Sequence, residues 1–273
     1  MTQQASLPRL VATDLDGTLL RSDGTVSAYT SEVLAGVQAA GTQVLAVTAR
    51  PPVWLDGLVG KLGSHGYVVC ANGAFVYDLH DRRVVAEKPI DPAVLLAVAA
   101  DLRRELPGIA FAVENRDGSG CEPTFRRRHP MPPGAAPDAP LEDLLTPLPG
   151  KLLARHEGLD PSVFIDSVAR IADERLLVAY SGAVGLAEMT AHGVTKATGL
   201  ADWCDRHDIE ATQVWAFGDM PNDLPMLAWA GRSFAVTNAA PEVRAAATAL
   251  CPSNDEDGVA QTLDRAFGLG LAT

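Results

Sequence analysis

The 273-residue chain has no apolar run long enough to cross a bilayer: the longest, Ala93 to Ala100, falls far short of the roughly 20 residues that a spanning helix needs. Residues Met1 to Leu10 hold no basic stretch followed by an apolar one, so no secretory leader is expected there and the protein is read as soluble and cytoplasmic. Cysteine is scarce. Cys70, Cys121, Cys204 and Cys251 lie far apart, with no Cys-x-x-Cys and no paired histidines. That excludes a disulfide scaffold and a structural zinc site and leaves reduced, mostly buried thiols as the expectation. An excess of positive charge is also missing, because 22 Lys and Arg face 34 Asp and Glu for a net charge of −12. Nucleic acid and anionic membranes are bound by clustered Lys and Arg, so neither partner is expected, although a local cationic pocket for a small anion is compatible with the total. Only four of the 22 basic residues are lysine, which reads as codon composition. No repeat recurs at 20 to 50 residues and no heptad is present, so a monomer is expected.

What is present is ordinary globular usage, 47% hydrophobic and 21% charged, in a chain long enough for one large domain or two modest ones. The first third alternates short apolar runs with helical patterns. Leu10 to Thr13 reads as a strand, Ser27 as the N-cap of a helix that Gly41 stops, and Val44 to Val47 as the next strand. Pro51 and Pro52 suit the first turn of another helix, and Tyr67 to Cys70 reads as a third strand. Continuous apolar strands alternating with helices predict a parallel sheet covered on both faces. The pattern then changes. Phe75 to Tyr77 and Val84 to Ala86 flank a turn and predict a hairpin, followed by a helix over 92–106 and a strand over 109–113. Seven prolines between His129 and Pro149 predict a long loop. A strand at 151–154, a helix over 161–171 and strands at 176–180 and 186–189 complete this block. Alternation resumes from Val194, with a helix over 196–208, a strand over 213–217 and a terminal helix over 259–267. The expected organisation is α/β, with a core formed by residues 1–78 and 190–273 and an α+β domain inserted over 79–189.

Asp14-Leu15-Asp16-Gly17-Thr18 follows the first strand, and ligands of open parallel sheets bind in the crevice outside the strand ends. Two carboxylates in one tight turn repel each other unless a cation, a shared proton or a phosphate-bound metal intervenes, and Mg²⁺ suits an all-oxygen site. Taken alone, the turn is equally a solvated strand end. A second acidic turn, Gly218-Asp219-Met220-Pro221-Asn222-Asp223, follows the strand at 213–217. If both strands share one parallel sheet, Asp14, Asp16, Asp219 and Asp223 meet at one edge, a charge density that makes sense around a cation. Thr48-Ala49-Arg50 follows the second strand and offers a hydroxyl and a guanidinium to oxyanions. Lys196 sits at a helix start, where phosphate is favoured.

These motifs, with Asn72-Gly73-Ala74 and the late stretch Ser253 to Ala260, occur in an order that resembles the haloacid dehalogenase (HAD) superfamily, most closely its Cof-like (HAD-IIB) phosphatases. The resemblance covers the whole chain in organisation, while the inserted region matches only in length and rough pattern. It implies a Rossmann-like core with an inserted cap, and hydrolysis of phosphomonoesters of small metabolites, sugar phosphates or related cofactors. Asp14 would be the nucleophile that forms an aspartyl-phosphate, and Asp16 the general acid and then base. Asp14, the Asp16 backbone carbonyl, Asp219 and Asp223 would hold Mg²⁺, while Thr48, Lys196 and Asn222 would contact phosphate. Ala49 departs from the family's usual glycine, which costs about 1 kcal/mol if that position needs a positive φ. In the cap, Glu114, Arg116, Arg126, Arg127, Arg128 and His129 are candidates for reading the leaving group, with Glu188 and His192 equally ambiguous. A phosphomutase or phosphotransferase on the same core, and a non-catalytic ligand-binding protein, are the alternative readings.

Overall fold

The structure, a computed structural model, describes residues 7–61, 66–127 and 138–271. Its elements run β1 (Leu10–Thr13), α1 (Ala28–Ala39), β2 (Gln43–Val47), β3 (Tyr67–Cys70), β4 (Phe75–Asp78), β5 (Arg83–Glu87), α2 (Pro92–Glu105), β6 (Ala110–Asn115), β7 (Gly118–Cys121) and β8 (Pro149–Arg155). There follow α3 (Pro161–Ala172), β9 (Leu176–Ala179), β10 (Leu186–Ala191), α4 (Lys196–Arg206), β11 (Val214–Gly218), α5 (Leu224–Trp229), β12 (Arg232–Val236), α6 (Pro241–Ala246), β13 (Ala249–Cys251) and α7 (Gly258–Phe267). None of the described helices is long and apolar enough to cross a membrane.

The chain divides into two compact units. The first comprises Met1–Thr48, Leu58–Val69 and Lys196–Thr273. Its strands pair in parallel in the order β13-β12-β11-β1-β2-β3. Every residue of β1 and β11 is buried, as expected for central strands covered on both faces. Helix α1 starts where the Ser27 hydroxyl accepts the Thr30 backbone N–H at 2.9 Å, and Val33, Leu34 and Val37 form its buried stripe.

The second unit comprises Ala49–Gly57 and Cys70–Thr195. It contains an antiparallel five-stranded sheet in the order β7-β6-β8-β10-β9 and the β4–β5 hairpin. Period-two alternation turns Phe111, Val113, Leu152, Ala154, Ala187 and Met189 toward a core shared with Leu95, Val98 and Leu102 of α2 and Phe164 and Val168 of α3. The same alternation sends Glu114, Lys151 and Glu188 to the other face.

Two local expectations need correction, and one strand was not expected. Pro51 and Pro52 do not open an α-helix; two short 3₁₀ turns, Pro52–Trp54 and Asp56–Leu58, stand there instead, because Gly57 and Gly60 interrupt any longer run. The strand β7, Gly-Ser-Gly-Cys, has no apolar pattern to announce it. A Cβ on its Gly120 would fall 2.7 Å from Leu144 Cδ2, so any larger residue there would displace the Leu144 side chain. The proline-rich stretch is not loop throughout: Leu141–Leu144 forms a 3₁₀ turn with Leu141 and Leu144 buried, and Pro149 opens β8. Residues 128–137 of that stretch lie outside the described ones.

Candidate active site

Strands β1 and β11 are parallel neighbours with Thr13 beside Phe217, and the Asp14 N–H continues the ladder to the Phe217 carbonyl at 3.0 Å. Both acidic turns therefore leave the sheet at the same edge. Asp14, Asp219 and Asp223 each offer a carboxylate oxygen within 4.8 Å of the others, and all three are buried. Lys196, the first residue of α4 and also buried, places its Nζ 2.6 Å from Asp14 Oδ1 and 2.6 Å from Asp223 Oδ1.

The turns are fitted to each other. The Thr18 hydroxyl donates to Asp219 Oδ1 at 2.8 Å, while the Asp219 and Met220 N–H groups each donate to Asp223 Oδ2 at 3.0 Å. Gly17 has φ +80°, and a Cβ on it would lie 2.4 Å from Asp219 Oδ2. Only a glycine lets the first turn pass so close to the second.

The charges do not balance. Three buried carboxylates meet one ammonium in these contacts, and the surplus negative charge shows in their acidity. Burial, with the neighbouring Asp223 and Asp219 carboxylates, pushes Asp14 well above the usual carboxylate range despite the opposing pull of Lys196. Burial and Asp223 push Asp219 up to about 6. Burial alone would lower the Lys196 ammonium, but Asp14 and Asp223 overcome it and raise its pKa. A set of hard oxygen donors carrying surplus negative charge fits a divalent cation such as Mg²⁺. Asp14, Asp219 and Asp223 are the side chains placed to hold one.

The profile of the haloacid dehalogenase-like hydrolases matches residues 11–263. The chain belongs to this family. It is 28% identical to the 5-amino-6-(5-phospho-D-ribitylamino)uracil phosphatase YitU of Bacillus subtilis, over 96% of this chain and 98% of that protein. It is 27% identical to the pyridoxal phosphate phosphatase YbhA of Escherichia coli, over 93% of this chain and 96% of that one. Its fold superposes with a TM-score of 0.80 on a HAD-superfamily phosphatase from Bacteroides thetaiotaomicron, at 23% identity and 96% coverage of both chains. This HAD protein is accordingly an enzyme of a hydrolase family, and these curated relatives are named as phosphatases.

Among the other residues singled out in the sequence of this HAD hydrolase, Asp16 is exposed and its side chain is outside the carboxylate group. Thr48 is buried at the end of β2, where its N–H donates to the Val69 carbonyl at 2.8 Å, and Asn222 is half-buried in the second acidic turn. Ala49 is not among the residues with positive φ, so the alanine costs no backbone strain. Of the candidates in the second unit, Glu114 and Glu188 pair with Lys151, Arg116 with Glu87, and Arg127 with Asp138. Arg126 and His192 are exposed, whereas Arg128 and His129 lie outside the described residues. Thr18 has no role that the sequence alone assigns, although Asp-x-Asp-Gly-Thr places a hydroxyl two residues past the second aspartate. All four cysteines are free and buried.

Proposed function

We propose that this HAD phosphatase is a Mg²⁺-dependent phosphomonoesterase that works through an aspartyl-phosphate on Asp14. The observation that carries this reading is the surplus of negative charge on Asp14, Asp219 and Asp223 beside a single lysine. Mg²⁺ bound there would neutralise charge on the transferring phosphoryl group and keep Asp14 ionised.

The chain's own residues supply the rest. Asp14 attacks phosphorus through a carboxylate oxygen, the bond to the leaving alkoxide breaks, and Asp16 gives that oxygen its proton. Exposure of Asp16 suits a group that must reach an incoming ester. Asp16 then takes a proton from water, which attacks phosphorus and frees Asp14 and inorganic phosphate. Lys196, fixed between Asp14 and Asp223, orients the nucleophile and offers its remaining N–H to a phosphoryl oxygen. Thr48 and Asn222 are assigned to the remaining phosphoryl contacts, and Asp16 adds its backbone carbonyl to the metal's ligands.

The inserted α+β domain over residues 79–189 is assigned as the cap. The substrate is a small phosphorylated metabolite, a sugar phosphate or a related cofactor, in keeping with the phosphates named for the YitU and YbhA relatives. A reducing, cytoplasmic setting accords with the free cysteines, and the chain is assigned as a monomer. The covalent step is tested by borohydride trapping during turnover. Reduction of an aspartyl-phosphate converts Asp14 to homoserine, which peptide mass spectrometry detects; conversion of no aspartate, with phosphate being released, would rule the covalent step out.

A further inference from the structure

Two of the four lysines in this chain are buried. Lys196 belongs to the aspartate cluster, but Lys151 belongs to a second one, entirely within the second unit. Lys151 lies in β8 and is 2% exposed. Its Nζ is 2.9 Å from Glu114 Oε2 on β6 and 2.9 Å from Glu188 Oε2 on β10. It also donates to the backbone carbonyl of Ala49 at 2.6 Å. Glu188 accepts from Asn72 Nδ2 at 2.9 Å and from the Ser181 hydroxyl.

The cluster gathers two short backbone stretches onto the polar face of the β7-β6-β8-β10-β9 sheet. One is Ala49-Arg50, held by Lys151; the other is Ala71-Asn72, held by Glu188. They are joined to each other by the Ala71 N–H donating to the Arg50 carbonyl at 2.8 Å. Ala71 and Asn72 keep positive φ, 49° and 56°, a conformation that persists only when the surroundings enforce it.

Stability does not explain this arrangement. Desolvating an ammonium and two carboxylates offsets most of their attraction, and an apolar trio of the same volume would do as well or better. What an apolar trio cannot do is donate a hydrogen bond to the Ala49 carbonyl. Ala49 is the residue after Thr48 in the chain. On its other side, Thr48 is tied by its own N–H to Val69.

We propose that Lys151 is a positioning residue for phosphoryl transfer: by holding the Ala49 carbonyl it fixes the backbone that presents Thr48 to the transferring phosphate. The proposal rests on the phosphatase reading and on Thr48 as a phosphate contact. It gives the buried lysine of β8 a task, and Glu114 and Glu188 that of balancing its charge.

The test compares the parent, Glu114→Gln, the double variant Lys151→Met/Glu114→Gln, and Lys151→Arg. Each is assayed with p-nitrophenyl phosphate and Mg²⁺, with inorganic phosphate as competitive inhibitor, and its fold is checked by thermal unfolding. Glu114→Gln keeps the ammonium on Ala49 and is the reference from which the double variant differs by the lysine alone. The double variant removes a matched pair of charges. It loses kcat by on the order of 10- to 100-fold, as sub-ångström to ångström displacement of a phosphate-binding group should, and its phosphate inhibition constant rises. Lys151→Arg keeps the positive charge for the glutamates but misplaces the donor, and it shows the same two changes; it decides alone if the double variant does not fold. A folded double variant with the kcat and inhibition constant of Glu114→Gln, or Lys151→Arg with those of the parent, overturns the proposal. A parent that releases no more phosphate than Asp14→Asn overturns the phosphatase reading, and this proposal with it.

Discussion

Asp14 is held by opposed demands: a nucleophile must be ionised, yet burial and two neighbouring carboxylates favour its protonated form. Removing the charge while keeping the volume, in Asp14→Asn, should abolish turnover and leave the unfolding midpoint close to the parent's. Asp219 makes the same tension measurable by pH. Its folded pKa of about 6 lies above the ordinary 3.8, so between those values the folded protein holds a proton that the unfolded chain has released. The contribution of Asp219 to stability is therefore fully present below about pH 4 and lost as pH rises through about 6. A cation competes with that proton, so Mg²⁺ affinity should fall as pH drops below about 6; isothermal titration at pH 5 and pH 7.5 checks it, and equal affinities would contradict the coupling. Gly17→Ala would drive a Cβ to 2.4 Å from Asp219 Oδ2 at a φ that costs L-residues about 1–2 kcal/mol. The expected result is a lower unfolding midpoint together with a higher Mg²⁺ requirement, seen by thermal unfolding and by Mg²⁺ titration of activity. The aspartates are legible in the sequence because each turn follows an apolar run and strand ends of a parallel sheet converge. Lys151 is not, because its partners Glu114, Glu188 and Ala49 come together only through antiparallel pairing and a long-range contact that no local spacing reports.

At the scale of elements, caps and glycines mark what the sequence makes readable. Ser27→Ala removes the acceptor for the Thr30 N–H and should destabilise α1 by about 1 kcal/mol, measured by chemical denaturation with the slope unchanged. The same serine, followed by Val33, Leu34 and Val37 and by the stop near Gly41, makes that helix legible from the residues alone. Strands β1, β2, β3 and β11 are equally plain, being continuous apolar runs. The strand β7 is hidden because it is defined by pairing with β6, with almost no side-chain pattern of its own. The turns at 52–58 mislead a sequence reading because paired prolines fit the start of a helix but cannot make one continue through Gly57.

For the whole molecule, surplus negative charge is both general and local. The chain carries a net charge of −12, and the part of it held on three buried aspartates creates a demand for a cation. Mg²⁺ at 100 times its dissociation constant should stabilise the protein by about 2.7 kcal/mol, a rise of several degrees in the unfolding midpoint that a chelator reverses. The order of the motifs along the chain makes the family and its chemistry legible. The leaving group is not, because no motif in the inserted region says which of its polar side chains would read it. The most direct test is phosphate release from a panel of esters, comprising sugar phosphates, nucleotides, pyridoxal phosphate and p-nitrophenyl phosphate, with and without Mg²⁺ and with Asp14→Asn as control. Mg²⁺-dependent release that the variant lacks is the predicted result, and the ranking of esters then names the substrate class. Folded, Mg²⁺-loaded protein that releases phosphate from none of them, or that yields an isomeric ester instead, would contradict it.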